Sequence, residues 1–428
     1  MSQSNYRGEW WLPQDDAIKI KGNLELHNNI NVLTLQGKGE QFINFDFKKK
    51  DFFLIGLLEN GIKKTLYIQY IDRWNENFNQ DGYNVICVLQ IQFIFEDIHI
   101  TNKNKLDEIE FNNIKVIFSN IDNWFNKYDL MTNDIVIKIK DECNITITYK
   151  DTKSYIIFKI ESLKTKTLEH YLGLKYILQG FFNFLTTDKP VLVESFIGEL
   201  ANSTQSTKIR YRSTIREPMV KVAVKRPFLF RYNDIKNKFE LTLNNWFRFY
   251  NNKDVILDLY LGAMYSNEIP ISMRFLTLFQ SLESYHAACL EPDSVNKQER
   301  KYRIEEIEKV IDTIKNNPSV KDYLKFIVNE KNSPSLKERL EEVYDKYESI
   351  FPKLTSKVKD KGTFIKTILK NRNTITHASL SYNKLANDDD FFWQVKNLEL
   401  LLQLCILTQI GFTNEEISQL YMVEKMRK

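Results

Sequence analysis

The segment Ile135-Val136-Ile137-Lys138-Ile139 opens a run of alternating apolar and polar residues, and the alternation returns in NITITYK, residues 144–150, and YIIFKI, residues 155–160. A period of two is typical of strands that bury one face. Turn-forming residues separate these segments, so they predict consecutive antiparallel strands. This part of the chain therefore predicts a β-rich fold.

Similar segments continue in both directions along the chain. A helical pattern, LEHYLGLKYILQGFFNFL at residues 168–185, interrupts them once, and strand-like VLVESFIGEL follows at residues 191–200. We therefore expect residues 1–225 to form an antiparallel β-rich sandwich or barrel-like domain with at least one helix. The earlier strand-like segments are AIKIKGNLEL (17–26), INVLTLQG (30–37), KTLYIQYI (64–71), NVICVLQIQFIFE (84–96) and IKVIFSNI (114–121).

The pattern changes to apolar residues three and four apart from about Tyr232 onward. This spacing is typical of amphipathic helices, so we expect residues 226–428 to form an all-α helical bundle. The fold class is then multidomain, a β-rich domain followed by a helical one. In the last long helix we expect the core stripe to be Phe392, Val395, Leu398, Leu402 and Ile406.

The net charge of +4 over 428 residues hides an uneven distribution of charge. Residues 1–205 hold 23 basic against 27 acidic side chains, and residues 206–428 hold 37 against 29, which gives −4 and +8. The most basic stretch, residues 206–231, has aromatic residues interleaved, a pattern that could grip an RNA backbone. An exposed charged strand that joins two domains explains it equally well. The candidate RNA-binding residues are Lys208, Arg210, Arg212, Lys225 and Arg226.

Metal and membrane signals are absent from the sequence. The five histidines form no H-E-x-x-H pattern, and the four cysteines stand singly, so we expect no metal site and no cofactor. The segment after Met1 lacks the apolar region of a secretory signal, and no stretch reaches the ~18 apolar residues of a membrane span. We therefore expect a cytoplasmic protein.

One helical segment, FIKTILKNRNTITHASL at residues 364–380, combines residue types that suit phosphate chemistry. Arg372 falls on the apolar face, where a guanidinium is costly unless it is paired or lines a cleft. Asn373 and His377 are four residues apart and share a face. Alternatively, Arg372 pairs with a buried acid and His377 is an ordinary residue at a helix end.

Three segments resemble a known family. RNTITH, residues 372–377, matches the R-N-x-x-x-H form of the motif of HEPN ribonucleases. RFLTLFQSLESYH, residues 274–286, is similar to the early helix of ApeA-type HEPN domains. YRGEWWLP and IKGNLEL, residues 6–13 and 20–26, resemble the opening of the β-rich domain found with those HEPN domains. Together the resemblance spans nearly the whole chain.

The resemblance implies a bacterial anti-phage ribonuclease that needs no metal. In such enzymes the ribose 2′-OH attacks the adjacent phosphate, which leaves a cyclic phosphate and a free 5′-OH. His377 would be the general base or acid, Arg372 would stabilise the transition state, and Asn373 would orient the phosphate or the imidazole. Glu283 would pair with Arg372 or tune His377, although it could also be a plain exposed acid.

The resemblance also implies a homodimer or higher homo-oligomer, RNA as the partner, no membrane contact, and a phage-derived trigger at the N-terminal domain. Two other functions stay open. The chain could be a non-catalytic HEPN-type module that binds RNA or nucleotides or acts as a scaffold. More remotely, Trp10 and Trp11 could mark a carbohydrate-binding domain, although burial in a β core explains tandem aromatics better.

Overall fold

The computed structural model describes most of the chain as two compact units, Met1–Glu240 and Leu241–Lys428. The boundary that we place at residue 225 falls outside the described residues and stays a prediction. The described residues are 4–13, 15–26, 31–42, 51–79, 82–96, 106–121, 123–125, 130–131, 133–150, 155–186, 190–201, 206–211, 228–265, 269–290, 295–314, 317–330, 334–355, 358, 360–377 and 389–426.

The first unit begins with a closed barrel of six antiparallel strands. Its order is β1-β2-β3-β6-β5-β4, and the pairing of β4 with β1 closes it. The barrel alternative of the sequence prediction is thus confirmed. The strands are β1 (Ser4–Leu12), β2 (Asp15–Leu26), β3 (Asn31–Lys38), β4 (Phe52–Leu58), β5 (Lys63–Asn79) and β6 (Gly82–Glu96).

The fully buried Trp10 indole occupies the barrel core, and two glycines make room for it. A Cβ atom at Gly56 would lie 2.2 Å from the Trp10 ring, and one at Gly22 would lie 2.7 Å from it. Gly22 lies inside β2 opposite Gly8, so it is a strand residue and not a turn or bulge. The burial of Trp10 confirms the core interpretation of that residue.

A second antiparallel sheet follows, in the order β12-β11-β7-β10-β9-β8. The strand β12 also pairs with the end of β6, where Ile209 lies opposite Phe95, and so joins the sheet to the barrel. The helix α1 (Leu168–Leu185) packs on β7 and β10 over a core of aromatic rings that includes Trp124 and Phe182. The strands are β7 (Glu110–Phe118), β8 (Ile135–Ile139), β9 (Cys143–Lys150), β10 (Tyr155–Thr167), β11 (Val193–Leu200) and β12 (Ser206–Tyr211).

The remaining elements are helical, as the sequence predicts. A π-helical turn, His286–Leu290, continues α4, and Lys253 breaks the regular backbone within α3. The helices are α2 (Tyr232–Ile235), α3 (Phe239–Tyr265), α4 (Ile271–Tyr285), α5 (Val295–Asp312), α6 (Pro318–Glu330), α7 (Leu336–Lys346), α8 (Phe351–Leu354), α9 (Lys361–Thr376), α10 (Asp389–Gln409) and α11 (Asn414–Met426).

The core of the helical unit forms around α4, which packs against α7, α9 and α10. The predicted α10 stripe is correct except at its start, because Phe391 is buried and Phe392 is 46% exposed. Phe391 faces the core since its ring packs on Phe275 of α4, with the centroids 5.2 Å apart. No helix in the described part of the chain is both long and apolar enough to cross a membrane.

Candidate active site

The helix α9 carries the R-N-x-x-x-H residues in its last turns. It begins after Asp360, whose carboxylate accepts a hydrogen bond of 2.8 Å from the Thr363 N–H, a normal N-terminal cap. The buried face of α9 consists of Phe364, Ile365, Ile368 and Asn371. The packing of this face against neighbouring helices fixes the direction in which the following residues project.

Asn371 fixes the position of α9 immediately before Arg372. The Asn371 side chain is buried, and its amide donates a hydrogen bond to the Gln394 side chain of α10. Arg372 is half-buried at the edge of the same face, and its Nη1 lies 3.3 Å from the Asn373 Oδ1 that accepts its hydrogen bond. The guanidinium is therefore at the rim of the helix packing, where it can reach an anion.

His377 stands at the C-terminal end of α9, and its side chain is exposed. Its backbone N–H donates to the Asn373 carbonyl oxygen at 3.0 Å, so the helical path extends to this residue. Arg372 and His377 are five positions apart on the helix, which corresponds to about 7.5 Å along the helix axis. Both side chains therefore lie near the C-terminal end of α9.

Glu283 lies on α4, the helix against which α9 packs. It is half-buried, and burial raises the pKa of its carboxyl above the usual 4.5. The positive charges of Arg372 and Arg339 act in the opposite direction and lower that pKa. Arg372 and Glu283 are thus within electrostatic reach of each other.

Tyr285 and His286, shortly after Glu283, belong to the core. Both are fully buried. The His286 Nε2 lies 2.8 Å from a carboxylate oxygen of Glu342 on α7, and the Tyr285 hydroxyl lies 3.3 Å from that of Tyr347. These polar contacts join the end of α4 to α7.

Three residues near the candidate site were missed from the sequence. Asn371 interrupts an apolar stripe, three residues after Ile368, and that position could have identified it as buried. Arg339 and Glu342 give no such signal, because a charged residue on an amphipathic helix is most often exposed. Only the packing of α7 on α4 brings these two residues near the site.

The basic stretch of the sequence is described only in part. Lys208 and Arg210 lie on β12 and alternate with Thr207 and Ile209. Because Thr207 and Ile209 are buried, both basic side chains point to the opposite face of the strand. Lys208 is exposed and Arg210 is half-buried. The other candidates, Arg212, Lys225 and Arg226, lie outside the described residues. RNA binding by this stretch stays a prediction.

The candidate site contains a carboxyl, a guanidinium and an imidazole on two packed helices. In the described ranges, no group of three His, Cys, Asp or Glu side chains is placed to hold a metal ion. A helical unit with an R-N-x-x-x-H motif at a helix end, preceded by a β-barrel unit, defines the class of an HEPN protein with a β-rich N-terminal domain.

Comparison with family models agrees with this class. The model of ApeA N-terminal domain 1 matches residues 5–246, and the model of the Apea-like HEPN domain matches residues 276–416. The chain therefore belongs to the ApeA-like HEPN family, which supports a role as an anti-phage HEPN protein. No curated protein and no solved structure matches the chain significantly.

Proposed function

We propose that the chain is an endoribonuclease of the HEPN type that cleaves RNA by transesterification, without a metal, during anti-phage defence. The observation that carries the proposal is the arrangement on α9, where a half-buried Arg372 and an exposed His377 flank about 7.5 Å of helix. Membership of the ApeA-like HEPN family supports the same class of chemistry.

The reaction assigns one role to each side chain. The ribose O2′ forms a bond to phosphorus while the bond from phosphorus to O5′ breaks, and a proton moves from O2′ to the leaving oxygen. His377 takes or supplies that proton, because an imidazole exchanges protons near neutral pH. Arg372 binds the charge that develops on the phosphoryl oxygens, and Asn373, which accepts a hydrogen bond from Arg372, orients that guanidinium.

Glu283 is the acidic member of this site. Its half-buried position and its reach to Arg372 support a role in holding the guanidinium. The raised pKa of its carboxyl is typical of groups at functional sites, where burial and nearby charge act together. We propose that Glu283 keeps Arg372 directed toward the bound phosphate.

The remaining parts of the proposal concern partners. The substrate is RNA of the host or the phage, and the basic residues Lys208, Arg210, Arg212, Lys225 and Arg226 contact its backbone. The barrel unit receives a phage-derived trigger. Two chains assemble as a homodimer or a higher homo-oligomer, so that two R-N-x-x-x-H motifs act together, and the protein works in the cytoplasm.

The test incubates the full-length protein with total RNA in EDTA and maps the product ends. We expect cleavage that leaves cyclic-phosphate and 5′-OH ends, and at least a 100-fold loss of rate in His377→Ala, within the range that general acid–base catalysis supplies. Thr376→Ala is the matched control, since Thr376 is the exposed neighbour of His377 on the same helix. Lys366→Ala controls Arg372→Ala in the same way.

Each outcome separates one function from another. Undiminished cleavage by His377→Ala would remove that residue from the mechanism. Loss of cleavage in EDTA alone would refute the metal-independent route. RNA binding without any cleavage by the wild type would favour the non-catalytic HEPN module.

A further inference from the structure

The start of α9 lies near the end of α10. The Phe364 ring packs on the Tyr344 ring of α7, with the centroids 5.9 Å apart. Three residues after Tyr344, the Tyr347 hydroxyl donates a hydrogen bond of 3.1 Å to the Thr408 hydroxyl in the last turn of α10. Tyr344 and Tyr347 thus connect the first turn of α9 to the last turn of α10.

The end of α9 lies near the start of α10, since the Asn371 amide donates a hydrogen bond to the Gln394 side chain. Rising residue numbers in α9 therefore accompany falling numbers in α10, and the two helices run in opposite directions. Arg372 is the next residue of α9 after Asn371. Trp393 is the residue of α10 before Gln394, so it lies at the same level as Arg372 along the pair of helices.

The packing of α10 on the core turns Trp393 outward. Phe391 is buried, and its ring packs on Phe275 of α4. Each residue of a helix is rotated by about 100° from the one before it, so Trp393, two residues after Phe391, points to nearly the opposite side. Trp393 is accordingly 42% exposed, beside the 46% exposed Phe392.

The Trp393 indole has a defined orientation on this surface. Its centroid lies 5.7 Å from that of the Phe392 ring at an interplanar angle of 80°, the edge-to-face arrangement that aromatic pairs favour. A ring that is already oriented costs little rotamer entropy when a ligand binds. Two adjoining large rings left partly exposed next to the candidate site are typical of a binding surface.

We propose that Trp393 stacks on a base of the RNA strand whose phosphate Arg372 binds. This inference rests on the proposed function and deepens it. Every base offers a π-face to an aromatic ring, but only an unpaired base can expose it, so the substrate is single-stranded at this point. Asp390 is exposed and lies one turn before Trp393 on the same face. Its negative charge disfavours a phosphate there, which leaves a base as the group that contacts the indole.

The test measures binding of the full-length protein to a 2′-O-methyl RNA oligonucleotide, which cannot be cleaved through its 2′ position. Trp393→Leu removes the π-face and keeps an apolar side chain, and Trp393→Tyr keeps an aromatic ring. Tyr323→Leu is the matched control, because Tyr323 is a 64% exposed aromatic residue of α6. A series of oligonucleotides, each with a single abasic nucleotide, removes one base at a time.

We expect Trp393→Leu to weaken binding roughly 5- to 150-fold, which is the equivalent of the 1–3 kcal/mol that stacking on one base supplies. Trp393→Tyr should lose less, and Tyr323→Leu should stay within about twofold of the wild type. The slope of log K against log salt should not change in Trp393→Leu, because no phosphate contact is removed. One abasic position should weaken binding to the wild type and have no effect on binding to Trp393→Leu.

Two results would overturn the proposal directly. The first is equal binding by Trp393→Leu and Tyr323→Leu, and the second is an abasic penalty that is the same in the wild type and in Trp393→Leu. Sedimentation of both proteins tests a second copy as the occupant of this surface. Loss in Trp393→Leu of a homodimer that the wild type forms would make Trp393 a contact between copies and would also overturn the proposal.

A crosslinking experiment replaces the variants if Trp393→Leu does not fold. The wild type is irradiated with an oligonucleotide that carries 5-iodouridine, and the crosslinked peptide is identified by mass spectrometry. A crosslink at Trp393 supports the proposal, and crosslinks confined to other residues overturn it.

Failure of the proposed function is distinguishable from failure of this inference. If the wild type binds RNA but does not cleave it, the nuclease proposal fails, and the abasic series still decides the role of Trp393. If the wild type cleaves RNA but the abasic penalty does not depend on Trp393, only this inference fails.

Discussion

Replacing Glu342 by alanine should destabilise the helical unit by about 2 kcal/mol, because it leaves His286 buried without a partner. The imidazole is fully buried, and its Nδ1 has no hydrogen-bond partner in the described residues. The contact of its Nε2 with Glu342 is therefore the hydrogen bond that the ring makes among those residues. The Glu342 side chain is only 16% exposed, and water therefore screens the contact weakly. The change tests whether this contact holds the end of α4 against α7.

The magnitude follows from the kind of hydrogen bond that is lost. A hydrogen bond to a charged group contributes about 1.5–3 kcal/mol, and a buried polar group without a partner costs a similar amount. A loss of about 2 kcal/mol raises the unfolding equilibrium constant roughly 30-fold, since 1.4 kcal/mol is a factor of ten. Glu342→Gln keeps an acceptor for the Nε2–H and should lose about half as much.

Amide hydrogen exchange of α4 and α7 is the appropriate assay. A chain of two units need not unfold in a single step, so the exchange of these particular amides isolates the contact between the two helices. The matched control is Glu341→Ala, which removes an exposed carboxylate whose ion pair with Lys337 contributes at most about 0.5 kcal/mol. If Glu342→Ala and Glu341→Ala lower the free energy of exchange of these amides equally within about 0.5 kcal/mol, the contact does not hold the helices together.

Two further predictions concern stability. Burial raises the pKa of the Glu283 carboxyl, so the folded protein keeps this carboxyl protonated to a higher pH than the unfolded chain does. The free energy of unfolding therefore falls as the pH rises above about 4.5. Glu283→Gln should therefore stabilise the protein at pH 7 but not at pH 4. Thermal melts at the two pH values check this, and an equal change in melting temperature at both would contradict it. Gly56→Ala should cost about 1–3 kcal/mol, because its Cβ would overlap the Trp10 ring. Gly173 lies within α1 with open space around it, so Gly173→Ala should instead raise the free energy of unfolding by about 0.5–1 kcal/mol. Thermal melts that show Gly56→Ala as the more stable of the two variants would refute the packing argument.

The sequence pattern predicted those features that depend only on the spacing of residues within one strand or helix. Ile135–Ile139 forms β8 as expected, because alternation with a period of two directly reports a strand with one buried face. The positions of Arg372 and His377 on one helix were likewise predictable from a helical repeat of 3.6 residues. Neither conclusion requires knowledge of a distant partner.

Features that depend on distant partners could not be predicted. The barrel requires that Val32 of β3 pairs with Gln90 of β6, and nothing in either segment specifies that pairing. The need for a glycine at position 22 also depends on the barrel, because only there does the Trp10 ring fill the space beside it. Arg339 was missed for the same reason, because only the packing of α7 on α4 brings its charge near Glu283.

The environment of Glu283 connects substrate binding to its protonation state. Burial opposes ionisation of this carboxyl, and only Arg372 and Arg339 favour it. A phosphate bound by Arg372 would neutralise part of its positive charge and would bring its own negative charge close to the carboxylate, and both effects would raise the pKa of Glu283 further. If the site binds RNA as proposed, binding and proton uptake at Glu283 would therefore favour each other, and affinity for an uncleavable RNA would rise as the pH falls toward the pKa of this carboxyl.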